Sequence, residues 1–284
     1  MATRANLTPQ HNPMQSSIPD SFTFSQTSLQ DYTDCPRRFQ LRYIEQLAWP
    51  AVESEPTLEN ERRQQEGQLF HRLVQQHLLG LPEEKLTRLA NTPNLSRWWE
   101  KWLDFRSLQD FGSLNPELSL SAPIGEHRII AKYDLVAVKP GEKALIFDWK
   151  TYYKRPRDEW MAARLQTRVY RALLARAGAH LNNGATIQPE QIEMTYWYAD
   201  YPSEPARFPY NAVQFTRDWD ALTKLVAEIT AAHEFSMTDD EKKCTYCPYR
   251  SYCERGVRAG EGEEVEGELA GMEINLEQVA EIEF

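Results

Sequence analysis

The sequence lacks the features of membrane proteins and of disulfide-rich secreted proteins. No apolar run approaches the roughly 20 residues that a membrane-spanning helix requires. The segment from Met1 to Asp20 lacks the apolar core of a signal peptide, so we expect a cytoplasmic protein. Only four cysteines occur among 284 residues. Because cytoplasmic thiols stay reduced, we expect these cysteines to bind a metal rather than to form disulfides.

Basic residues are scarce relative to acidic ones, and the formal net charge is −10. The acidic excess lies at one end, since residues 259–284 contain nine Glu and no Lys, Arg or Asp. The remaining chain has 33 acidic and 32 basic residues. This nearly neutral body can still carry local basic patches that bind phosphate. A Walker motif is also missing, so we expect no helicase motor within this sequence.

Composition divides the chain into three predicted parts. Residues 1–20 are polar and predict a disordered N-terminus. Residues 21–256 predict one α/β domain, and residues 257–284 form an acidic tail. Apolar residues recur in the tail at helical spacing, which leaves two alternatives. The tail is either a solvated end, or a segment that folds back over a basic surface or binds a partner.

Hydrophobic periodicity predicts both helices and strands within the domain. A helix that starts near Ser28 should break at Cys35-Pro36. A turn over Lys139–Lys143 should join two strands into a hairpin. The mixture predicts a sheet with covering helices. The other predicted helices cover 59–79, 97–105, 160–177 and 218–235, and the strands cover 118–122, 129–138, 144–149 and 191–198.

Two aspartates and a lysine lie within the predicted hairpin. Asp134 is inside one strand, and Asp148 and Lys150 end the next. A carboxylate in a strand is disfavoured unless a partner offsets its desolvation. Side chains at i and i+2 share a strand face, so Lys150 points the same way as Asp148. If the register brings Asp134 opposite, the carboxylates can hold Mg²⁺ or Mn²⁺. An isolated D-x-K is usually a pair of solvated edge charges, so its context decides.

The four cysteines have an uneven spacing. Cys35 stands alone, and Cys244 follows 209 residues later, with Cys247 and Cys253 after gaps of two and five residues. Four thiolates complete the ligand set of a zinc ion or of an iron–sulfur cluster. Structural zinc usually takes two C-x-x-C pairs, which this spacing does not supply. Either metal would link the two ends of the domain.

Taken in order, these motifs resemble the PD-(D/E)xK nuclease superfamily, and specifically its RecB-like iron–sulfur branch. That branch includes the CRISPR-associated RecB-like exonucleases and the nuclease domain of AddB-type helicase–nucleases. The resemblance covers about residues 25 to 256. Ala131 stands where the G-x-x-D motif of the family usually has Gly. The matching motifs are G-x-x-x-H at Gly67–His71, the G-x-x-D position at Ala131–Asp134, D-x-K at Asp148–Lys150, Q-x-x-x-Y at Gln166–Tyr170, and the cysteine spacing.

The resemblance implies a restriction-endonuclease-like α/β core, in which a mixed sheet is flanked by helices. It also implies a [4Fe–4S] cluster on all four cysteines that joins the N- and C-terminal ends. The implied activity is Mg²⁺- or Mn²⁺-dependent hydrolysis of DNA phosphodiesters. Lys150 is the implied catalytic lysine, and Gln166 and Tyr170 would either contact DNA or brace Lys150. The implied metal ligands are His71, Asp134, Asp148 and the main-chain carbonyl of Trp149. Glu117 is a further candidate for an accessory acid.

Aromatic and basic residues alternate directly after the D-x-K strand. Such a segment suits single-stranded DNA, because cations bind phosphates and rings stack on bases. A solvated loop is the alternative. The predicted DNA contacts are Tyr153, Lys154, Arg155 and Arg157, together with Arg38 near the cysteines.

The predicted function is therefore exonuclease or flap cleavage of single-stranded DNA. Its setting would be recombination and repair or CRISPR spacer acquisition, with a helicase or a CRISPR integrase as partner. Two other classes are weighed against it: a DNA-binding iron–sulfur subunit with a silent site, and a small iron–sulfur electron carrier. The intact His, Asp, Asp and Lys set argues against the first, and the chain length and nuclease motifs argue against the second.

Overall fold

The structure is a computed structural model that describes residues 18–47, 55–105, 108, 111–245 and 247–256, with only the backbone for 55–61. The predictions for the acidic tail lie outside these residues. Within them, no helix is long and apolar enough to cross a membrane. In chain order the elements are β1 (Thr23–Ser25), α1 (Gln26–Asp34), α2 (Pro36–Phe39), α3 (Glu55–Leu78), α4 (Glu83–Thr87), α5 (Pro93–Leu103), β2 (Ser113–Ile124), β3 (His127–Lys139), β4 (Lys143–Lys150), α6 (Asp158–Ala163), α7 (Leu165–Ala177), β5 (Ile192–Tyr198), β6 (Tyr201–Pro209) and α8 (Ala212–Ala231).

The strands form one mixed sheet. Five of them follow the order β1-β3-β4-β5-β6, and β2 pairs with β3. The β1–β3 and β4–β5 pairs are parallel, and the other three pairs are antiparallel. A parallel neighbour requires a crossover, and α6 and α7 supply the crossover between β4 and β5. This confirms the predicted mixed sheet with flanking helices.

The sheet separates two hydrophobic cores, because successive side chains of a strand point to opposite faces. In β4, Ile146 belongs to the core beneath α1, α7 and α8. Its neighbours Phe147 and Trp149 belong to the core beneath α3 and α5. Asp148 and Lys150 share the face of Ile146. The polar end of β4 therefore points toward α7, on the side opposite to the tryptophan-rich core.

The two strands of the β3–β4 hairpin separate near Asp134. Strand β2 follows one edge of β3 along almost its whole length. On the other edge, β4 pairs with β3 only from Leu135 to Lys139, and β1 pairs only from Arg128 to Ile130. Residues 131–134 lie between these two neighbours, and the structure as described shows no strand paired there. The result is an opening in the sheet at Asp134.

Several boundaries differ from the sequence predictions. The helix predicted over 160–177 is two helices, because Arg164 adopts an extended conformation with φ −61° and ψ 144°. The break at Cys35-Pro36 is confirmed. Strands β1 and β6 were not predicted, since one has only three residues and the other contains three prolines. Ile18 was assigned to the disordered N-terminus, but it is buried in the first core.

Candidate active site

Asp134 lies where the hairpin opens and binds groups from two directions. The last hairpin pair is Leu135 with Phe147, so Asp134 and Asp148 are the next residues along the two strands. The Trp149 backbone N–H donates to Asp134 Oδ2 at 2.8 Å. His71 Nδ1 lies 3.3 Å from the same oxygen. Helix α3 therefore brings His71 to the carboxylate, as the G-x-x-x-H motif implied.

Asp148 and Lys150 form a buried ion pair beside Asp134. Lys150 Nζ lies 2.9 Å from Asp148 Oδ2, and the two residues are only 1% and 2% exposed. Gln166 Nε2 donates to the other carboxylate oxygen, Oδ1, at 2.7 Å. Removing one partner of such a buried pair leaves an uncompensated charge, so the pair requires both members. The implied D-x-K and Q-x-x-x-Y motifs thus meet directly.

Two tyrosine rings enclose the Lys150 ammonium. Nζ lies 5.6 Å from the ring centroids of both Tyr152 and Tyr196. The Tyr196 hydroxyl donates to Gln166 Oε1 at 3.4 Å and bonds with the Thr167 hydroxyl at 2.8 Å. Tyr196 is therefore connected to Lys150 through its ring and to Asp148 through Gln166. From its alternation with Met194, Tyr196 is predictable only as a residue of a strand.

Tyr170, the last residue of the Q-x-x-x-Y motif, braces the sheet. Its hydroxyl donates to the Lys132 carbonyl at 2.7 Å, and its own carbonyl accepts from the Tyr133 hydroxyl at 2.9 Å. Burial, followed by the charges of Asp148 and Asp134, holds the pKa of Tyr170 well above its ordinary range. The hydroxyl therefore remains protonated and acts as a donor.

Helix α3 is held close to the end of β4. A Cβ at Gly67 would lie 2.8 Å from Thr151 Oγ1, so only glycine fits this approach without displacement. Arg63 Nε donates to the Thr151 carbonyl at 3.0 Å, and its Nη2 lies 2.8 Å from Asp200 Oδ2. These contacts fix the helix that carries His71. Neither Arg63 nor Asp200 was predicted, since only the fold brings them together.

Glu117 lies on β2, the strand that pairs with β3 beside Asp134. Its neighbours pair as Pro116 with Leu135 and Leu118 with Tyr133, which brings Glu117 opposite Asp134. Its φ of 54° is left-handed, a conformation that is uncommon for a residue other than glycine. The Glu117 carboxylate forms an ion pair with Lys132 Nζ at 2.7 Å. Its accessory role stays a prediction.

The PD-(D/E)XK nuclease superfamily model matches residues 23–254, which include every element of this site. The chain belongs to the PD-(D/E)XK nuclease superfamily. No curated protein matches it by sequence. The RecB-like iron–sulfur branch is a finer assignment that the superfamily match leaves open.

Two solved structures are similar to this chain. A protein from Eubacterium rectale, described as a candidate exonuclease, is 9% identical with a TM-score of 0.50; the match covers 95% of this chain and 100% of that one. At this identity the likeness concerns the fold alone. SSO0001 is 12% identical, with 84% and 88% of the two chains covered, and its TM-score of 0.38 carries no argument.

The donor set fits a hard divalent cation by its chemistry. Two carboxylates and an imidazole are ligands that Mg²⁺ or Mn²⁺ accepts. Among the contacts found for the described residues, those of Asp134 all use Oδ2, which leaves Oδ1 for a cation. No three His, Cys, Asp or Glu side chains in the described part of the chain adopt the geometry of a metal site. The Trp149 side chain lies in the second core, so only its main chain borders this site.

All four cysteines line one pocket, which we call the cysteine pocket. Cys35 lies between α1 and α2, and the other three lie on the 3₁₀ turns Glu241–Cys244 and Arg250–Cys253 and on the link between them. All four are free thiols. The fold therefore brings Cys35 to the distant trio, although the thiols do not reach ligand geometry.

Positive charge surrounds the cysteine pocket. Arg255 Nη1 donates to Cys244 Sγ at 3.0 Å, and Arg38, Lys243 and Arg250 also line the pocket. Burial raises the pKa of the Cys247 thiol to about 11, although the Tyr249 backbone and Arg38 act in the opposite direction. Four thiolates around a zinc ion or an iron–sulfur cluster carry negative charge. The donors and their surroundings therefore fit either group.

The predicted DNA-contacting residues differ in their exposure to solvent. Tyr153 is 67% exposed, and Lys154 and Arg157 are also exposed. Arg155 donates to the Glu204 carbonyl at 2.7 Å and pairs with Asp158 at 2.7 Å. Arg38 is only 5% exposed. Because its guanidinium pairs with two aspartates at 2.8–2.9 Å, the prediction that it contacts DNA is corrected to a structural role.

Proposed function

We propose that this protein is a Mg²⁺- or Mn²⁺-dependent deoxyribonuclease that cleaves single-stranded DNA at ends or flaps. The single observation that carries the proposal is that His71 contacts Asp134 and Lys150 contacts Asp148 where β3 and β4 stop pairing. The superfamily is one of nucleases, and this arrangement supports an active member of it. It argues against a silent DNA-binding subunit, because every polar group of the motif is retained.

In this proposal, His71, Asp134, Asp148 and the Trp149 carbonyl hold the cation. When bound, the cation polarises the scissile phosphate and lowers the pKa of a bound water. Lys150 orients the attacking water or stabilises the developing negative charge. Gln166 holds Asp148, and the rings of Tyr152 and Tyr196 limit where the ammonium can move.

The exposed segment after β4 is proposed as the DNA path. Tyr153 supplies a ring, and Lys154 and Arg157 supply charge at the solvent-facing side of the site. An unpaired strand presents both phosphates and base faces to such a surface. Recombination and repair or CRISPR spacer acquisition is the proposed setting, with a helicase or an integrase as partner.

The cysteine pocket is proposed to hold a [4Fe–4S] cluster, with zinc as the alternative. Its role would be to tie α1 and α2 to the C-terminal 3₁₀ turns. Protein purified without oxygen should contain iron and sulfide in a ratio close to one. A colourless folded protein with one zinc per chain would instead support the zinc site.

The test of nuclease function is digestion of labelled single-stranded and duplex DNA with Mn²⁺, with and without EDTA. Asp148→Asn and Lys150→Met should each lower the rate at least about 100-fold. Asp148→Asn should also weaken Mn²⁺ binding, whereas Lys150→Met should largely retain it.

Asp220→Asn is the matched control, because it makes the same change at an exposed site on α8, which carries none of the proposed catalytic or DNA-contacting residues. Its rate should match that of the wild type. Wild-type protein that cuts neither DNA form at any Mn²⁺ concentration would favour the silent-subunit alternative.

A further inference from the structure

A row of alternating cations and aromatic rings leads outward from Lys150. The Lys150 ammonium lies 5.6 Å from the Tyr152 ring. Arg164 Nη1 donates to the Tyr152 hydroxyl at 3.0 Å. On its other side, the Arg164 guanidinium lies 5.0 Å from the Trp160 ring. The four groups thus connect the buried ammonium to the surface of α6.

Exposure increases along this row. Lys150 and Tyr152 are buried, Arg164 is half-buried, and Trp160 is 37% exposed. The hydrophobic cores do not account for Trp160, because α6 buries only Met161. A large ring that packs on a cation and keeps a third of its surface in water is available for a planar ligand.

The short helix α6 holds this ring, and the contacts through Arg164 and Tyr152 connect it to Lys150. The extended backbone at Arg164 separates α6 from α7, so the short α6 does not continue into the buried helix. Helix α6 also packs on β6. The exposed cations Lys154 and Arg157 lie nearby in the chain. Of the two acidic residues at the start of α6, Asp158 pairs with Arg155, while Glu159 remains exposed.

We propose that Trp160 and Arg164 form a subsite for an unpaired nucleotide next to the scissile phosphate. The indole would stack on the base, and the guanidinium would attract the adjoining phosphate. Stacking requires a base that is not already paired, so the subsite would favour single-stranded DNA over duplex. The inference rests on the proposed function for the identity of the ligand, but binding to the subsite does not require cleavage.

The test is binding of a fluorescently labelled oligo(dT) to the full-length protein in EDTA, measured by anisotropy. Trp160→Leu, which keeps apolar volume but no aromatic face, should weaken binding about tenfold. Trp160→Phe, which keeps the face, should stay within about threefold of the wild type. A blunt duplex should bind all three proteins equally.

The matched control for the substitution of Arg164 is the substitution of Arg176, near the other end of α7. Arg176 lies 4.7 Å from the Trp219 ring, so Arg176→Gln removes the same charge and the same kind of stack. Arg164→Gln should weaken oligo(dT) binding about fivefold, and Arg176→Gln should leave it within twofold. Thermal melting of each variant verifies that it is folded.

If Arg164→Gln and Arg176→Gln weakened oligo(dT) binding equally, the cause would be general electrostatic attraction. That result would overturn the proposed subsite. Identical affinities of Trp160→Leu and Trp160→Phe would do the same. Nuclease activity is measured separately with Mn²⁺. Loss of the proposed nuclease function alone would leave these affinity ratios unchanged, so the two failures can be told apart.

Discussion

The nuclease cleft, formed by His71, Asp134, Asp148 and Lys150, and the cysteine pocket are held together in different ways. The cleft lies between two large hydrophobic cores, and hydrogen bonds or ion pairs hold its side chains. The cysteine pocket has a core of three buried residues, Leu41, Cys247 and Tyr249, and its trio comes from short 3₁₀ turns. Protein contacts therefore hold the side chains of the cleft, and we expect the cysteine pocket to depend on the metal proposed to bind there.

Removing the metal from the cleft and from the cysteine pocket in separate experiments should give the largest difference in Tm. A tightly bound group contributes about 3 kcal/mol to stability, which in a domain of this size corresponds to about 6–12 °C in Tm. Oxidative removal of the cysteine-bound metal should therefore lower Tm by that amount. EDTA treatment that strips only Mg²⁺ or Mn²⁺ should shift Tm by less than about 2 °C. Calorimetry with metal analysis measures both.

Cys247→Ser provides the control for this contrast, because its Tm should already be low and should not fall further on oxidation. Equal Tm losses from both treatments would contradict the distinction between a preorganised cleft and a metal-dependent pocket.

Gly67→Ala should damage the cleft through packing alone. The new Cβ would meet Thr151 Oγ1 at 2.8 Å, and we expect α3 to move and to carry His71 away from Asp134 unless the Thr151 side chain rotates aside. Overpacking of this kind costs about 1–3 kcal/mol. We expect lower thermal stability and a higher Mn²⁺ requirement for cleavage.

Adding Thr151→Ala to Gly67→Ala removes the obstructing oxygen. The double variant should recover most of the thermal stability and should need less Mn²⁺ for cleavage than Gly67→Ala alone. A double variant no better than Gly67→Ala alone would show that this contact does not set the position of α3.

Asp200→Asn should weaken the contacts that hold α3, and the resulting loss of stability should depend on pH. Burial alone would raise the pKa of Asp200, but hydrogen bonds from Arg97, Trp98 and Arg63 outweigh it and hold the pKa below its ordinary value. The stabilisation is therefore present above the unfolded pKa of about 3.9 and is lost as the pH falls through the lower folded value.

At pH 7 the Asp200→Asn variant should be less stable by about 1.5 kcal/mol, the scale of a hydrogen bond to a charged group. Urea unfolding at pH 7 and in acid measures the difference between variant and wild type. A difference that grows toward acid would contradict the stated direction of the pKa shift.

Tyr196→Phe should have the smallest effect, because it keeps the ring beside Lys150 and loses only the hydroxyl. The lost bonds to Gln166 and Thr167 cost about 1 kcal/mol. If Gln166 positions Asp148, kcat should fall several-fold while KM for DNA stays unchanged. Steady-state kinetics at saturating Mn²⁺ tests this.

Thr223→Val is the matched control for Tyr196→Phe, because it removes a hydroxyl that bonds within α8, away from the cleft. It should leave kcat unchanged. A Tyr196→Phe enzyme with wild-type kcat would remove Tyr196 from the group of positioning residues.

Much of the molecule was predictable from local pattern. The hairpin and its flanking elements have clear periods, and the D-x-K carboxylate shares a strand face with its lysine by simple alternation. Tyr196, Thr151, Arg63 and Asp200 were not predictable as site residues. They lie on separate elements that only the fold brings together, and no motif in the sequence connects them.

The sequence by itself determined which reactive groups exist and in what order, because motif spacing within one helix or strand fixes which side chains share a face. The tertiary structure alone decided that Cys35 meets the distant trio and that Arg38 turns inward to its two aspartates. It also decided that β4 separates from β3 at Asp134. Each of these depends on contacts between residues far apart in the chain, and no local period of the backbone encodes such contacts.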